Sequence, residues 1–304
     1  MTRIKQQLCV DFKMKDLGPI KQVLGLRVTR SNDAVMIDQE QYINELLAKF
    51  NLINCNAAPT PLDMNQRLTK EMCPTNEEAE KMKNIPYREL VGGLQFVAQC
   101  TRPDISHAVS IVSSFCSNPG FAHWTAAKRI LRYLKGTKHE KLTYRRNEDT
   151  DFYGYSDADW GNDPDTRRSV SGYVFLQNGG AVSWNSKRQS TVALSTTEAE
   201  YMALSTATQE AMWWKGFLFE LHGTNQALML KCDNKSAINL AEREVGYSAR
   251  SKHIDIRHHY IREQVERKLI KLEHVPSDLQ AADILTKSIP GPKENEDRKK
   301  LGIL

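Results

Sequence analysis

Apolar positions in "IDQEQYINELLAKFNL" recur at helical spacing: Tyr42, Ile43, Leu46, Leu47 and Phe50 share one face, which predicts an amphipathic helix. Upstream, a turn at Gly18-Pro19 leads into a strand near residues 23–29. "NAAPTPLD" then breaks the helix with two prolines and opens a polar connector over about residues 56–84, the least ordered-looking interior stretch. Residues 85–136 predict three helices. The first covers about 87–100, and the second opens at "RPDI", where Pro103 suits a first turn. The third, "FAHWTAAKRILRYLKG", closes on Gly136 as a C-cap.

Near residue 150 the period shifts toward short strands. "DFYGYSDADW" reads as a strand, and "SGYVFLQ" and "AVSWNSK" flank Asn178-Gly179-Gly180, a hairpin signal. A long helix over 196–222 follows, then the strand "LMLKCD", a short helix "KSAINLAE" and a helix over about 252–268. A strand "IKLEHV" and a final helix "DLQAADILTK" close the unit, and the tail "GPKENEDRKKLGIL" is expected to be mobile. An antiparallel start followed by α/β crossovers predicts a mixed sheet with helices packed on it.

Composition narrows the class. At 304 residues, 40% apolar and 26% charged, the chain is an ordinary globular sequence with room for two or three domains. It has no apolar run long enough to cross a membrane as a helix, and "MTRIKQQLCV" is too polar for a secretory signal. Six scattered cysteines without a C-x-x-C pair argue against a zinc ribbon or disulfide scaffold. They fit a reducing, intracellular setting, and all six read as small buried apolar residues. A net charge of +5 permits a polyanionic partner without demanding one.

Acidic residues recur at element ends after residue 150. Asp157 and Asp159 leave one strand on the same face. Asp233 ends the fourth strand, where α/β sheets favour ligands. Asp283 falls on the final helix, and Glu198 and Glu200 on the long one. Any one of these acids is more simply a cap or a solvated charge. As a convergent set they would repel one another unless a hard divalent cation with oxygen ligands resolved the conflict. Two such ions can hold an attacking water and a leaving oxygen for phosphodiester cleavage. "STTE" at 195–198 fits a capping box, which gives Glu198 a structural task and leaves Glu200 free for chemistry.

"YSDADWGND", "SVSGYVF", "AVSWNSKRQSTVALSTTEAEYMAL", "KCDNKSAINLA", "SKHIDIRHHYIRE" and "ADILTK" resemble the ribonuclease H domain of copia-type retrotransposon Pol polyproteins. "DFKMKDLG", "LGLRVTRS", "TPL", "TRPDISHAVSIVSSFCSNPGFAHW" and "RILRYLKGT" resemble the end of the same family's reverse transcriptase, so the resemblance covers nearly the whole chain. It implies a ribonuclease H-like mixed five-stranded sheet with flanking helices, preceded by a mainly helical thumb and connection region. The implied segments are 1–64, a palm and thumb remnant; 65–148, the connection; 149–290, the ribonuclease H domain; and 291–304, a flexible tail. It further implies cleavage of the RNA strand of RNA–DNA hybrids with two Mg²⁺ ions, Mn²⁺ able to substitute. Asp157, Glu200, Asp233 and Asp283 fall on the family's metal-binding, catalytic acids, whereas Asp159 matches none and reads as a supporting or loop acid. The expected partners are the hybrid and the remainder of the Pol polyprotein, with no membrane. The expected location is the cytoplasm, within retrotransposon particles or reaching the nucleus. The alternative is an inactive nucleic-acid-binding or interaction fragment of a degraded copy.

Two departures stand out. The polymerase signature Y-x-D-D is absent, because the chain begins where the family's sequence would lie just past it, so the first half is expected to be silent as a polymerase. Only "SDLQAA" separates Pro276 from Asp283, so the mobile-loop histidine of many ribonucleases H has no obvious counterpart; His274 reads as a strand-face residue.

Other residues carry two readings each. Lys128, Arg132 and Lys135 form a basic stripe that suits either a phosphate backbone or a solvated helix end. Arg167 and Arg168, in a loop beside "DADW", are candidate phosphate contacts. Trp213 and Trp214, with Phe217, Leu218 and Leu221, read as core rather than as base-stacking residues. His253, Asp255, His258 and His259 lack the i, i+4 pair of a zinc helix and read as structural.

Overall fold

Two sheets, one antiparallel and one mixed, organise the chain in a computed structural model that describes residues 2–146, 151–242 and 255–304. After helix α1 (Thr2–Asp11), β1 (Gln22–Val23), β2 (Leu26–Arg30) and β3 (Ala34–Asp38) form an antiparallel meander. β4 (Leu142–Arg145) returns from far along the chain to pair with β3. Between them lie α2 (Glu40–Lys49), α3 (Asn76–Lys83), α4 (Tyr87–Cys100), α5 (Ser106–Ser113) and α6 (Phe121–Thr137). α2 buries Ile43, Leu46 and Leu47, the face its spacing predicts. α4 buries Leu90, Leu94 and Val97 against the same cluster. A Cβ at Gly93 would come within 2.8 Å of the Leu46 side chain, so glycine lets α4 approach α2.

The second half is the mixed sheet. β5 (Tyr153–Asp159) pairs antiparallel with β6 (Val170–Gln177), which pairs antiparallel in turn with β7 (Gly180–Arg188). Asn178 and Gly179 both have positive φ, +53° and +75°, the pairing a tight two-residue hairpin requires. The long helix α7 (Thr196–His222) crosses to β8 (Leu228–Cys232), parallel to β5. α8 (Lys235–Glu242) and α9 (Asp255–Glu266) lead to β9 (Ile270–His274), parallel to β8. The order is β7-β6-β5-β8-β9, the five-stranded mixed sheet of the expected fold. β5 is central, so its side chains are enclosed by helix and loop.

Several expectations are corrected. The connector is ordered: it buries Ala58, Leu62, Leu68 and Met82 and contains α3. The segment expected as a final helix instead forms two 3₁₀ turns, Ser277–Leu279 and Asp283–Leu285, so Asp283 sits on a turn. The tail is not mobile but packed. α10 (Gly291–Lys300) buries Glu294, Asp297 and Arg298. Leu301 and Ile303 are buried too, and the Thr143 and Lys141 N–H groups donate to Gly302 and Leu304 carbonyls at 2.8 and 2.7 Å. Because α10 buries charges rather than apolar residues, its sequence carries no hydrophobic stripe. Trp213 (59% exposed), Phe217 and Leu221 face outward, leaving Leu218 buried and Trp214 part-buried against Phe152. Of the six cysteines, all unpaired, Cys232 is buried, Cys9 is exposed and the rest are half-buried. The side chains of His253, Asp255, His258 and His259 lie outside the described residues.

Candidate catalytic site

Four elements bring acids to one end of the mixed sheet. Asp157 projects from central strand β5 and is 2% exposed. Glu200 lies one turn into α7, packed on β5, and is also buried. Asp233 follows directly on β8, and Asp283 opens the second 3₁₀ turn. Carboxylate oxygens of Glu200 and Asp233 and the Cys232 sulfur lie within 4.8 Å of one another. Asp157 feels the charges of both Asp233 and Asp283, so the four acids share one electrostatic neighbourhood.

Neighbouring groups hold these acids in place. The Thr286 hydroxyl donates to Asp157 Oδ2, and the Ala158 N–H donates to Glu200. The Ser277 hydroxyl donates to Asp233 Oδ2 at 2.7 Å, and His274 Nε2 lies 3.2 Å from the Asp233 carbonyl oxygen. Gln280 Nε2 donates to the Ser156 carbonyl at 3.0 Å, which pins the loop before Asp283 onto β5. Lys287 Nζ stands 2.8 Å from Asp283 Oδ1 and 3.9 Å from Asp157 Oδ2. Lys293 Nζ reaches Asp283 Oδ2 at 2.9 Å and Asp297 at 2.7 Å.

The electrostatics follow from burial and crowding. Burial, then Asp157 and Asp233, pushes the Glu200 carboxyl up to about 9. Burial raises Asp157 to about 6, with Lys287 opposing and Asp283 and Asp233 adding to the rise. Burial works against the Lys287 charge, but Asp157 and Asp283 outweigh it and hold the lysine protonated. Burial, then Glu200, raises the Cys232 thiol, so its sulfur stays neutral. Asp283 thus has two lysines beside it, whereas Asp157 and Glu200, buried next to the charge of Asp233, are both pushed toward their protonated forms in the absence of further positive charge. The unmet donors are carboxylate oxygens, which fit a hard cation such as Mg²⁺; a protonated thiol does not add to such a set.

The structure brings Asp157, Glu200, Asp233 and Asp283 together and separates Glu198 from them. Ser195 caps α7 by accepting from the Glu198 N–H at 3.1 Å. Glu198 Oε2 reaches back to the Leu194 N–H at 2.8 Å, one residue before the partner a capping box would give it. Asp159 is half-buried beside the site, where burial raises it and Lys287, Asn162 and Arg67 oppose the rise. Arg167, at φ +55°, and Arg168 sit in the loop after β5 and make no ion pair among the described residues. The basic stripe is partly committed elsewhere. Arg132 Nε donates to the Asn56 carbonyl at 2.8 Å, Lys135 donates to the Cys55 carbonyl, and Lys128 Nζ lies 5.4 Å from the Trp124 ring centre. These two hydrogen bonds tie the connector to α6.

Sequence reasoning missed Thr286, Lys287, Lys293, Ser277 and Gln280. The first two directly follow "ADIL", so the motif that located Asp283 was the available signal. Lys293 and Gln280 carry no pattern of their own.

The strand order and the acids on β5, on α7, after β8 and after β9 define a ribonuclease H-like unit. The family model for reverse transcriptase (RNA-dependent DNA polymerase) matches residues 1–64. The Retrovirus-related Pol polyprotein from transposon TNT 1-94 of Nicotiana tabacum is 44% identical over 296 residues, 96% of this chain and 22% of its own length. A putative transposon Ty5-1 protein of Saccharomyces cerevisiae is 35% identical over 211 residues, 68% of this chain and 67% of that protein. Among solved structures, LC11-RNase H1 isolated from compost covers 45% of this chain and 94% of its own, at 18% identity and a TM-score of 0.36. The chain belongs to the copia-type retrotransposon Pol family, and it spans about a fifth of the length of the Pol polyproteins it matches.

Proposed function

We propose that the second half of this chain is a ribonuclease H that cleaves the RNA strand of RNA–DNA hybrids with Mg²⁺, Mn²⁺ substituting. One observation carries the reading: two buried carboxylates, Asp157 and Glu200, converge with the half-buried Asp233, and burial and mutual repulsion raise both Asp157 and Glu200. Asp157, Glu200 and Asp233 would hold the metal, with Asp283 kept in register by Lys287 and Lys293. When bound, the metal supplies an activated water and charge stabilisation for phosphodiester hydrolysis. The chain's own residues do the rest. Thr286 fixes the rotamer of Asp157, Ser277 orients Asp233, and the Ala158 N–H orients Glu200. Lys287 holds a positive charge beside Asp157 and Asp283, where the phosphate of a bound strand would pass. Arg167 and Arg168 extend that positive track, and hybrid recognition would rest on duplex shape, phosphates and 2′-hydroxyls. Of the α6 stripe, Lys128 is proposed as the phosphate contact, since Arg132 and Lys135 are engaged with the connector.

The segment scheme stands as part of this proposal: palm and thumb remnant, connection and ribonuclease H domain. The remainder of a Pol polyprotein is proposed as a partner and the cytoplasm as the location. No Y-x-D-D occurs in the 304 residues, so primer extension on a primed RNA template is expected to be undetectable. The test of the main reading is incubation of the chain with labelled RNA–DNA hybrid, with Mg²⁺ or with EDTA. RNA-strand cleavage that needs the metal supports it. Equal cleavage with EDTA, or none under either condition, refutes it.

A further inference from the structure

Beside the acids lies a cavity of about 240 Å³ that the mechanism does not use. Its walls come from the connector, from α5, from the loop after β5 and from Lys287 and Ser288. His107, Ser110 and Ile111 line it at i, i+3 and i+4, with Ser114 at the C-cap, so one stripe of α5 and its end face it. That stripe is polar although its floor is deep: His107 is 4% exposed, and neither ring nitrogen has a hydrogen-bond partner. Buried polar groups are nearly always paired, and an unpaired one calls for a reason. Burial holds this imidazole neutral, so it offers one donor and one acceptor. Leu62, Leu68, Phe115 and Val170 supply apolar walls.

The roof is fastened. The Lys70 N–H donates to both Asp165 carboxylate oxygens, at 3.1 and 3.0 Å, closing the connector onto the loop after β5. Charge at the lining is uneven. Arg188 pairs with Asp163 and Lys287 with Asp283, but the exposed Arg67 makes no ion pair among the described residues.

We propose that this cavity binds one nucleoside monophosphate, with the base against the α5 stripe and the phosphate at Arg67. A base edge offers adjacent donors and acceptors, which suit a neutral imidazole; its faces suit apolar walls. The choice of a nucleotide over other small anions rests on reading the adjacent acids as a nucleic-acid site. The nucleotide is either free or an unpaired residue of a strand lying on those acids.

Calorimetric titration of the full chain with AMP, CMP, GMP and UMP, in EDTA, tests the pocket without using cleavage. At least one nucleotide should bind, with adenosine-type nucleosides and inorganic phosphate each weaker by about tenfold or more. His107→Phe keeps the ring shape and removes the unpaired nitrogens, so it should weaken nucleotide binding about tenfold while leaving Tm unchanged or higher. The exposed Arg67→Gln should weaken AMP but not adenosine. A second arm compares a blunt hybrid with one bearing a single unpaired nucleotide, also in EDTA. A preference for the unpaired end that disappears in His107→Phe assigns the pocket to a strand; nucleotide binding without such a preference assigns it to free nucleotide. No binding by any nucleotide, or equal binding by wild type and His107→Phe, overturns the proposal. Hybrid cleavage with no nucleotide binding sinks the pocket alone, and the reverse result sinks the ribonuclease reading alone.

Discussion

Two buried charged clusters, similar in composition, differ in their balance. Around α6 and α10, Arg102 pairs with Asp104 at 2.5 Å, Tyr133 donates to Asp104 at 2.8 Å, and Arg298 donates to Tyr133 at 2.9 Å and to Glu140 at 2.7 Å. Two arginines face Asp104 and Glu140, while burial, then Asp104, pushes Glu294 up to about 8 and leaves it neutral near pH 7. Charges cancel, and the network fastens α10 to the first half of the chain. At the end of the mixed sheet, four acids face Lys287 and a Lys293 shared with Asp297. That cluster is short of positive charge. A balanced cluster is complete as it folds; an unbalanced one has room for a cation.

The sharpest way to break this contrast is to remove an acid from each. Asp157→Asn and Asp233→Asn should each reduce Mg²⁺-dependent hybrid cleavage by orders of magnitude in a gel assay, with the fold retained, because like-charge repulsion is relieved. Near wild-type turnover in either variant would mean the acids are misassigned. In the balanced cluster, Arg102→Met removes the ion-pair partner of the buried Asp104 and leaves it the Tyr133 hydroxyl. It should cost about 3–5 kcal/mol in denaturant unfolding, as for other broken buried pairs. A loss under about 1 kcal/mol would show that the network contributes little.

The unbalanced cluster should also reveal itself through pH, added to a contribution from Glu294 of the balanced one. Asp157, Glu294 and Glu200 have raised folded-state values of about 6, 8 and 9, so the folded chain holds protons that the unfolded chain has released. Without divalent metal, their contribution to stability is complete below the ordinary carboxylate range and is lost as pH rises through these values. Thermal melts in EDTA should therefore show Tm falling between about pH 5 and pH 9, and Glu200→Gln should flatten the upper part of the fall. The Mg²⁺-induced rise in Tm should grow over the same range. A pH-independent Mg²⁺ shift would contradict the shortage of charge. The smallest expected effect is at Glu198: Glu198→Ala removes its bond to the Leu194 N–H and should cost about 0.5–2 kcal/mol, with cleavage largely kept.

The parts legible in sequence are those where local pattern and global fold agree. Alternation in "SGYVFLQ" and "AVSWNSK", with Asn178-Gly179 between them, marks β6 and β7, and "STTE" marks the start of α7. β3 and β4 escaped notice because they are five and four residues long and β3 runs almost directly into α2. α10 escaped because it is held by Asp297, Arg298 and Glu294 rather than by an apolar stripe. Trp213 misled because an apolar run on a long helix does not say where its packing partner ends. At the site, element order and motif located the acids. Lys287 was within reach of the motif, directly after "ADIL" and Thr286, but Lys293, which shares in the charge balance, and His107, unpaired at the floor of the cavity, became visible only in three dimensions.

Glu198 and Glu200 give the most direct test, since they are two residues apart on one helix and only Glu200 faces Asp157 and Asp233. The measurement is the single-turnover rate of RNA-strand cleavage in a labelled hybrid, across a Mg²⁺ titration, for Glu200→Gln and Glu198→Gln beside wild type. The expected result is loss of cleavage at every Mg²⁺ concentration for Glu200→Gln, with Tm retained, and a near wild-type rate for Glu198→Gln. Cleavage that survives Glu200→Gln would contradict the claim that the charge-deficient acids are the catalytic centre.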